Sequence, residues 1–284
     1  MAKRAALQPR ALFFGLAYLL VSAGTWSADA PRAPATATTS AGATTPTASA
    51  PTTTRSASPV TSAVPPGPRT SIPDTMAERV AACVACHGSE GRATTDGYYP
   101  RIAGKPEGYL FNQLLNFREG RRQNGTMSYL VANLPDDYLR EIARHFSARN
   151  PPYAAPQLAS VSAATLERGR VLATTGDAAR GLPACAACHG SALTGVAPAT
   201  PGLLGLPRDY LNAQFGAWSN GARRAAAPDC MAPIASRLSG EDLGAVTAYL
   251  AAQTVPAHAV PTDVSALPTK LPLECGSVPA RGAP

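Results

Sequence analysis

The sequence predicts an all-α protein made of two tandem copies of one small helical domain, and three observations lead there. The pattern Cys-x-x-Cys-His occurs twice, as "CVACH" at Cys83 to His87 and as "CAACH" at Cys185 to His189. A longer stretch after each motif repeats as well. Pro106, Tyr109, Leu110, Gln113, Phe117 and Gly120 answer to Pro207, Tyr210, Leu211, Gln214, Trp218 and Gly221, identical in all but the aromatic pair. Finally, apolar residues recur at helical spacing, and no segment shows the alternation of a half-buried strand. Self-similarity on this scale marks a duplicated domain.

Residues 1–30 read as a secretory signal. Lys3, Arg4 and Arg10 precede the apolar run "ALFFGLAYLLVSAG" (11–24), and "ADA" at Ala28 to Ala30 fits an A-x-A cleavage site. Fourteen apolar residues are short for a bilayer span, but Thr25 and Trp26 extend the segment, so an uncleaved N-terminal membrane anchor is the competing reading. Residues 31–70 are a disordered linker: 33 of these 40 are Thr, Ala, Pro or Ser, and none is acidic, so nothing there can bury a core. The net charge of +7 resides mostly in this leader, which carries six basic residues and one acidic residue before position 71. The remainder is near neutral and has no basic patch of the kind that binds nucleic acid.

Domain 1 (71–150) opens with a helix around Asp74 to Ala85 that leads into the first motif. Pro106 starts the next helix, with Leu110, Leu114 and Phe117 on one face and Gly120 as its stop. "LPDDYLREIARHF" closes the domain, with Leu139, Ile142 and Phe146 facing inward. Domain 2 (151–256) repeats the plan: a helix from Ala163 to Thr174, one after Pro207, and the closing "LSGEDLGAVTAYL" with Leu243, Val246 and Leu250. Ser239 and Asp242 there resemble a capping box, with Asp in place of Glu or Gln. Residues 257–284 form a C-terminal tail.

A Cys-x-x-Cys pair alone suits zinc, a redox dithiol or covalent haem, and the adjoining histidine separates them. Two thiols add across the porphyrin vinyl groups, and the imidazole then lies under the iron as proximal ligand, so every position of the motif has work to do. We therefore expect two covalently bound haems c, held by Cys83, Cys86 and His87 and by Cys185, Cys188 and His189. Each haem would also supply apolar core that domains of about 80 residues struggle to build alone. For the far side of the iron, Met127 and Met231 lie 40 and 42 residues after His87 and His189, each in a loop between the two later helices. This equal placement favours them over His145, inside a closing helix, and His258, in the tail. Cys230 and Cys275 remain. In an exported protein such a pair is most simply a disulfide, tying the tail to the segment that carries Met231. Cys230 as a ligand of the second iron is the alternative.

These residues resemble a dihaem class I cytochrome c, in particular the cytochrome c4 family, over roughly 72–256. The likeness rests on "CVACHG" with Met127, "CAACHG" with Met231, and "YPRIAGKPEGYLFNQLLNFREGRR" with its copy "TPGLLGLPRDYLNAQFGAWSNGARR". It implies two tandem all-helical cytochrome c domains with His/Met irons. It also implies an electron carrier in the periplasm, exchanging with respiratory redox proteins: a quinol-cytochrome c reductase, a terminal oxidase or reductase, or a dehydrogenase. By the same likeness Arg122 and Arg223, or Arg121 and Arg224, pair with haem propionates. Two rival functions stay open: a dihaem oxidoreductase acting on a sulfur compound through Cys230, and a cytochrome subunit of a membrane dehydrogenase or oxidase, held near its partner by the linker.

Overall fold

Ten helices carry the fold in a computed structural model that describes residues 74–257, 259–268 and 270–279. The segments read as an export signal and a linker, together with His258, lie outside the described residues. Thr75 caps the first helix by accepting the Glu78 N–H, and α1 (Met76–Arg79) follows. The chain breaks at Val80 (φ −94°, ψ 10°) before continuing as α2 (Ala81–His87). The single helix expected from Asp74 to Ala85 is thus two short ones, and Val80, 1% exposed at the break, enters the core. α3 (Glu107–Arg118), α4 (Gly125–Val131) and α5 (Asp136–Ser147) complete the first half.

The second half has α6 (Ala163–Thr174), with the bounds expected, then α7 (Ala186–His189), α8 (Arg208–Ser219), α9 (Met231–Arg237) and α10 (Gly240–Ala251). Pro106 and Pro207 stand immediately before α3 and α8. Gly120 and Gly221 end these helices at φ 73° and 77°. A Cβ would meet nothing within 4 Å at either glycine, so the left-handed backbone rather than crowding selects the residue. Met127 and Met231 were expected in loops, and instead lie in α4 and at the start of α9. Two antiparallel ladders, β1 (Gly176–Asp177) with β2 (Leu182–Pro183) and β3 (Gly195–Val196) with β4 (Thr200–Pro201), sit in the loops around α7. Each strand has two residues, too few to leave an alternation in the sequence.

Each half has its own apolar core. Leu110, Phe117, Leu139, Ile142 and Phe146 pack where α3 meets α5, and Leu172, Leu211, Val246 and Leu250 where α6, α8 and α10 meet. Leu243, expected inside, is only half-buried. α6 and α10 approach closely because Gly169 lacks a side chain: a Cβ there would lie 2.2 Å from the Ala245 carbonyl oxygen. Only half of the expected capping box forms. Ser239 accepts the Asp242 N–H at 3.1 Å, but the Asp242 carboxylate turns to Arg168 (2.8 Å) and Arg180 (2.6 Å). Two guanidiniums outcompete one backbone N–H for a carboxylate.

The two halves meet along equivalent segments. Arg122 and Arg223 form an antiparallel bridge, Gln123 N–H donates to Ala222 O (2.8 Å), and Arg224 N–H donates to Arg121 O (2.7 Å). The tail returns over the second half, where Thr262 pairs with Val196 and a disulfide joins Cys275 to Cys230.

Candidate functional site

His87 and His189 end α2 and α7 and are 8% and 7% exposed. Each donates from Nδ1 to a proline carbonyl in the following loop: His87 to Pro100 at 2.9 Å and His189 to Pro201 at 2.7 Å. This bond fixes the ring and leaves Nε2 as the lone-pair nitrogen, the arrangement a metal-binding imidazole needs. Burial pushes both histidines below the usual imidazole range, against the pull of the proline carbonyls, so both rings are neutral at pH 7. Arg122 adds to the lowering at His87 and Lys105 at His189.

Cys83, Cys86, Cys185 and Cys188 are free thiols beside these rings. Burial raises Cys83 and Cys188 and pushes Cys185 up to about 11, the reverse of the lowered thiol of a redox dithiol. Met127 and Met231 are presented by matching devices. Asn124 Oδ1 accepts the Met127 N–H at 3.0 Å. Asp229 Oδ1 accepts the N–H groups of Met231 (3.1 Å) and Ala232 (3.2 Å), while its Oδ2 takes Ala225 N–H (2.7 Å) and Trp218 Nε1–H (3.3 Å). All four cysteines, both histidines and both methionines line one cavity of about 890 Å³ that runs through both halves.

Between the halves the polar lining is reciprocal. Arg122 donates to Gln113 (3.0 Å), Gln214 (2.8 Å) and the Tyr210 hydroxyl (3.2 Å). Arg223 donates to Gln214 (2.7 Å), Gln113 (3.3 Å) and the Tyr109 hydroxyl (3.4 Å). Arg223 is buried, and neither arginine has a carboxylate partner among the described residues. A buried cation without an anion is costly, so Arg223, with the half-buried Arg122 beside it, suits an anionic group in the cavity. Arg121 is already held by Glu119 and Asn116. Apolar walls, paired thiols, neutral imidazoles and two guanidiniums without a carboxylate among the described residues together fit two haems with their propionates.

Cys230 is bonded to Cys275, 45 positions further along the chain, so its sulfur is not available as a thiolate. His145 is half-buried on α5, next to Arg149 at 3.5 Å, and is not among the cavity-lining residues. Tyr109, Gln113, Tyr210 and Gln214 entered the sequence reading only as matched positions of the repeat, with no contact assigned to them. Their signal was present: they are polar and identical in two copies that otherwise diverge. Lys105 was missed because its counterpart in the repeat is Leu206, so the comparison of copies says nothing for it.

No protein-family profile matches the chain. The thiosulfate dehydrogenase electron acceptor of Thiomonas intermedia is 38% identical over 174 residues, 61% of this chain and 79% of that one. Cytochrome c4 of Pseudomonas aeruginosa is 32% identical over 176 residues, 61% of this chain and 84% of that one. Among solved structures, reduced cytochrome c4 from Pseudomonas stutzeri matches with a TM-score of 0.53 at 27% identity, over 63% of this chain and 96% of that one. The thiosulfate dehydrogenase (TsdBA) from Marichromatium purpuratum matches with a TM-score of 0.55 at 34% identity, over 62% of this chain but only 37% of that one. Fold, repeat and relatives together define a dihaem c-type cytochrome. Within that class the chain belongs to the cytochrome c4 family, and it carries electrons between redox proteins.

Proposed function

We propose that residues 71–150 and 151–256 each hold one haem, the first through Cys83, Cys86, His87 and Met127 and the second through Cys185, Cys188, His189 and Met231. The observation that carries this assignment is the matched pair of Nδ1–carbonyl bonds, to Pro100 and Pro201, on two neutral imidazoles that share one cavity with the methionines. Bound haem supplies an iron that gains and loses one electron. The chain's own residues hold that group still. α2 and α7 fix the thiols and imidazole on one turn, Asn124 and Asp229 hold the methionine segments, and Arg122 and Arg223 meet the propionates. A histidine and a methionine given to each iron would leave no open position for a substrate, which suits a carrier.

The natural donor is a dehydrogenase of sulfur compounds. Two relatives, at 38% and 37% identity, are named thiosulfate dehydrogenase electron acceptors, and the solved thiosulfate dehydrogenase shares the fold over 37% of its chain. The segment 1–30 exports the chain to the periplasm, where such a donor would meet it. Among the described residues no helix is long and apolar enough to cross a membrane.

Replacing Met127 or Met231 with Ala tests the assignment. Each variant should lose the sulfur-to-iron charge-transfer absorption of one haem and lower that haem's potential, leaving the other little changed. A variant that keeps the full wild-type spectrum removes that methionine from the iron.

A further inference from the structure

Lys105 is a cation buried between the two halves, with no anion beside it among the described residues. It stands just before Pro106 at the entry to α3, is 5% exposed and lines the shared cavity. Its Nζ donates to the carbonyl oxygen of Gly202, 97 residues further on, at 3.1 Å. Gly202 follows Pro201, whose carbonyl holds His189 Nδ1. The amine of the first half therefore grips the loop that orients the imidazole of the second.

Its charged neighbour, Arg101, is also a cation. That guanidinium is engaged elsewhere, donating to the carbonyls of Ala103, Pro151 and Pro152 and stacking on the Tyr153 ring. Burial presses the Lys105 amine down to about 8, which leaves it protonated at neutral pH. Packing does not require an amine here. The equivalent residue of the second half, Leu206, is buried and apolar, and removing a cation from water without an ion partner is expensive. Lys105 is also the charged side chain that acts on His189, whereas His87 answers to Arg122.

We propose that Lys105 is a positioning residue for the second haem. It clamps the 201–202 loop against His189, and its positive charge on that side favours the reduced iron, whose net charge is one unit lower. The first half thereby sets the driving force for electrons in the second. This rests on the assignment of His189 to the second haem.

The test is a spectroelectrochemical titration of the full-chain holoprotein, resolved into two one-electron components. The second haem is the component that moves when Met231 is replaced by His. Lys105→Leu copies the second half's own residue, and Lys105→Met serves as an alternative shape. Either should lower the equilibrium constant for reducing the second haem about tenfold, about 59 mV for one electron, and move the first haem less. Lys105→Arg, which keeps the charge, should retain most of the wild-type value. No shift in the neutral variants, equal shifts of both haems, or the same fall in Lys105→Arg would overturn the proposal. Any of these results with both His/Met haems in place leaves the haem assignment standing. A chain carrying no haem at Cys185/Cys188 overturns both.

Discussion

Asp242 shows how one side chain ties three elements together. Its carboxylate, buried on α10, accepts from Arg168 on α6 and pairs with Arg180, and both arginines also hold Asp177. Burial alone would raise its pKa, but the two guanidiniums and the Ser239 cap outweigh that and hold it at about 2. A carboxyl depressed in the folded state contributes stability that is complete above its unfolded value, near 4, and is lost as pH falls toward 2. The expected size is about 2 kcal/mol. Denaturant unfolding at pH 6 should therefore show Asp242→Asn to be destabilised by roughly that amount, with the gap to wild type closing between pH 4 and pH 2. A gap independent of pH would mean that shape rather than charge holds the three elements.

At the scale of elements, the sequence was most readable where local chemistry decides. Pro106 and Pro207 start helices and Gly120 and Gly221 stop them, all short-range choices. It was least readable where distant groups compete. The break at Val80 puts that residue into a core built by α3 and α5, and the half-made capping box at Ser239 reflects arginines 62 to 74 residues away in sequence. The haem motifs were legible as a pattern, but the reciprocal Arg/Gln/Tyr contacts needed the two halves brought together. The tail is the element whose role is most testable. Gly276 N–H donates to Pro228 O (2.9 Å), and the Ser277 carbonyl accepts from Asn112 on α3 (2.8 Å), so the strap also reaches the first half. Closing a 45-residue loop is worth roughly 4 kcal/mol in the chain-entropy account. Replacing Cys230 and Cys275 together with Ser should lower the denaturation midpoint accordingly and weaken the Met231 charge-transfer absorption, leaving that of Met127 intact. An unchanged midpoint would show that the tail's hydrogen bonds hold it without the bridge.

For the whole molecule, duplication explains both the likeness and the difference of the two halves. The copies meet through the same residues, Tyr109, Gln113 and Arg122 against Tyr210, Gln214 and Arg223, which gives the joint an approximate two-fold character. They differ where only one copy carries a group: Lys105 in the first half, and the disulfide-bound tail in the second. A carrier that must pass one electron internally benefits from a joint that holds two redox centres in a fixed relation. The central claim, that each half covalently holds its own haem through its Cys-x-x-Cys-His motif, is tested most directly by the intact mass of the denatured protein after acid-acetone extraction. Thioether bonds survive that treatment, so the mass should exceed that of the polypeptide by two haems, with the additions mapping to the Cys83/Cys86 and Cys185/Cys188 peptides. A bare polypeptide, or a single haem per chain, would contradict it.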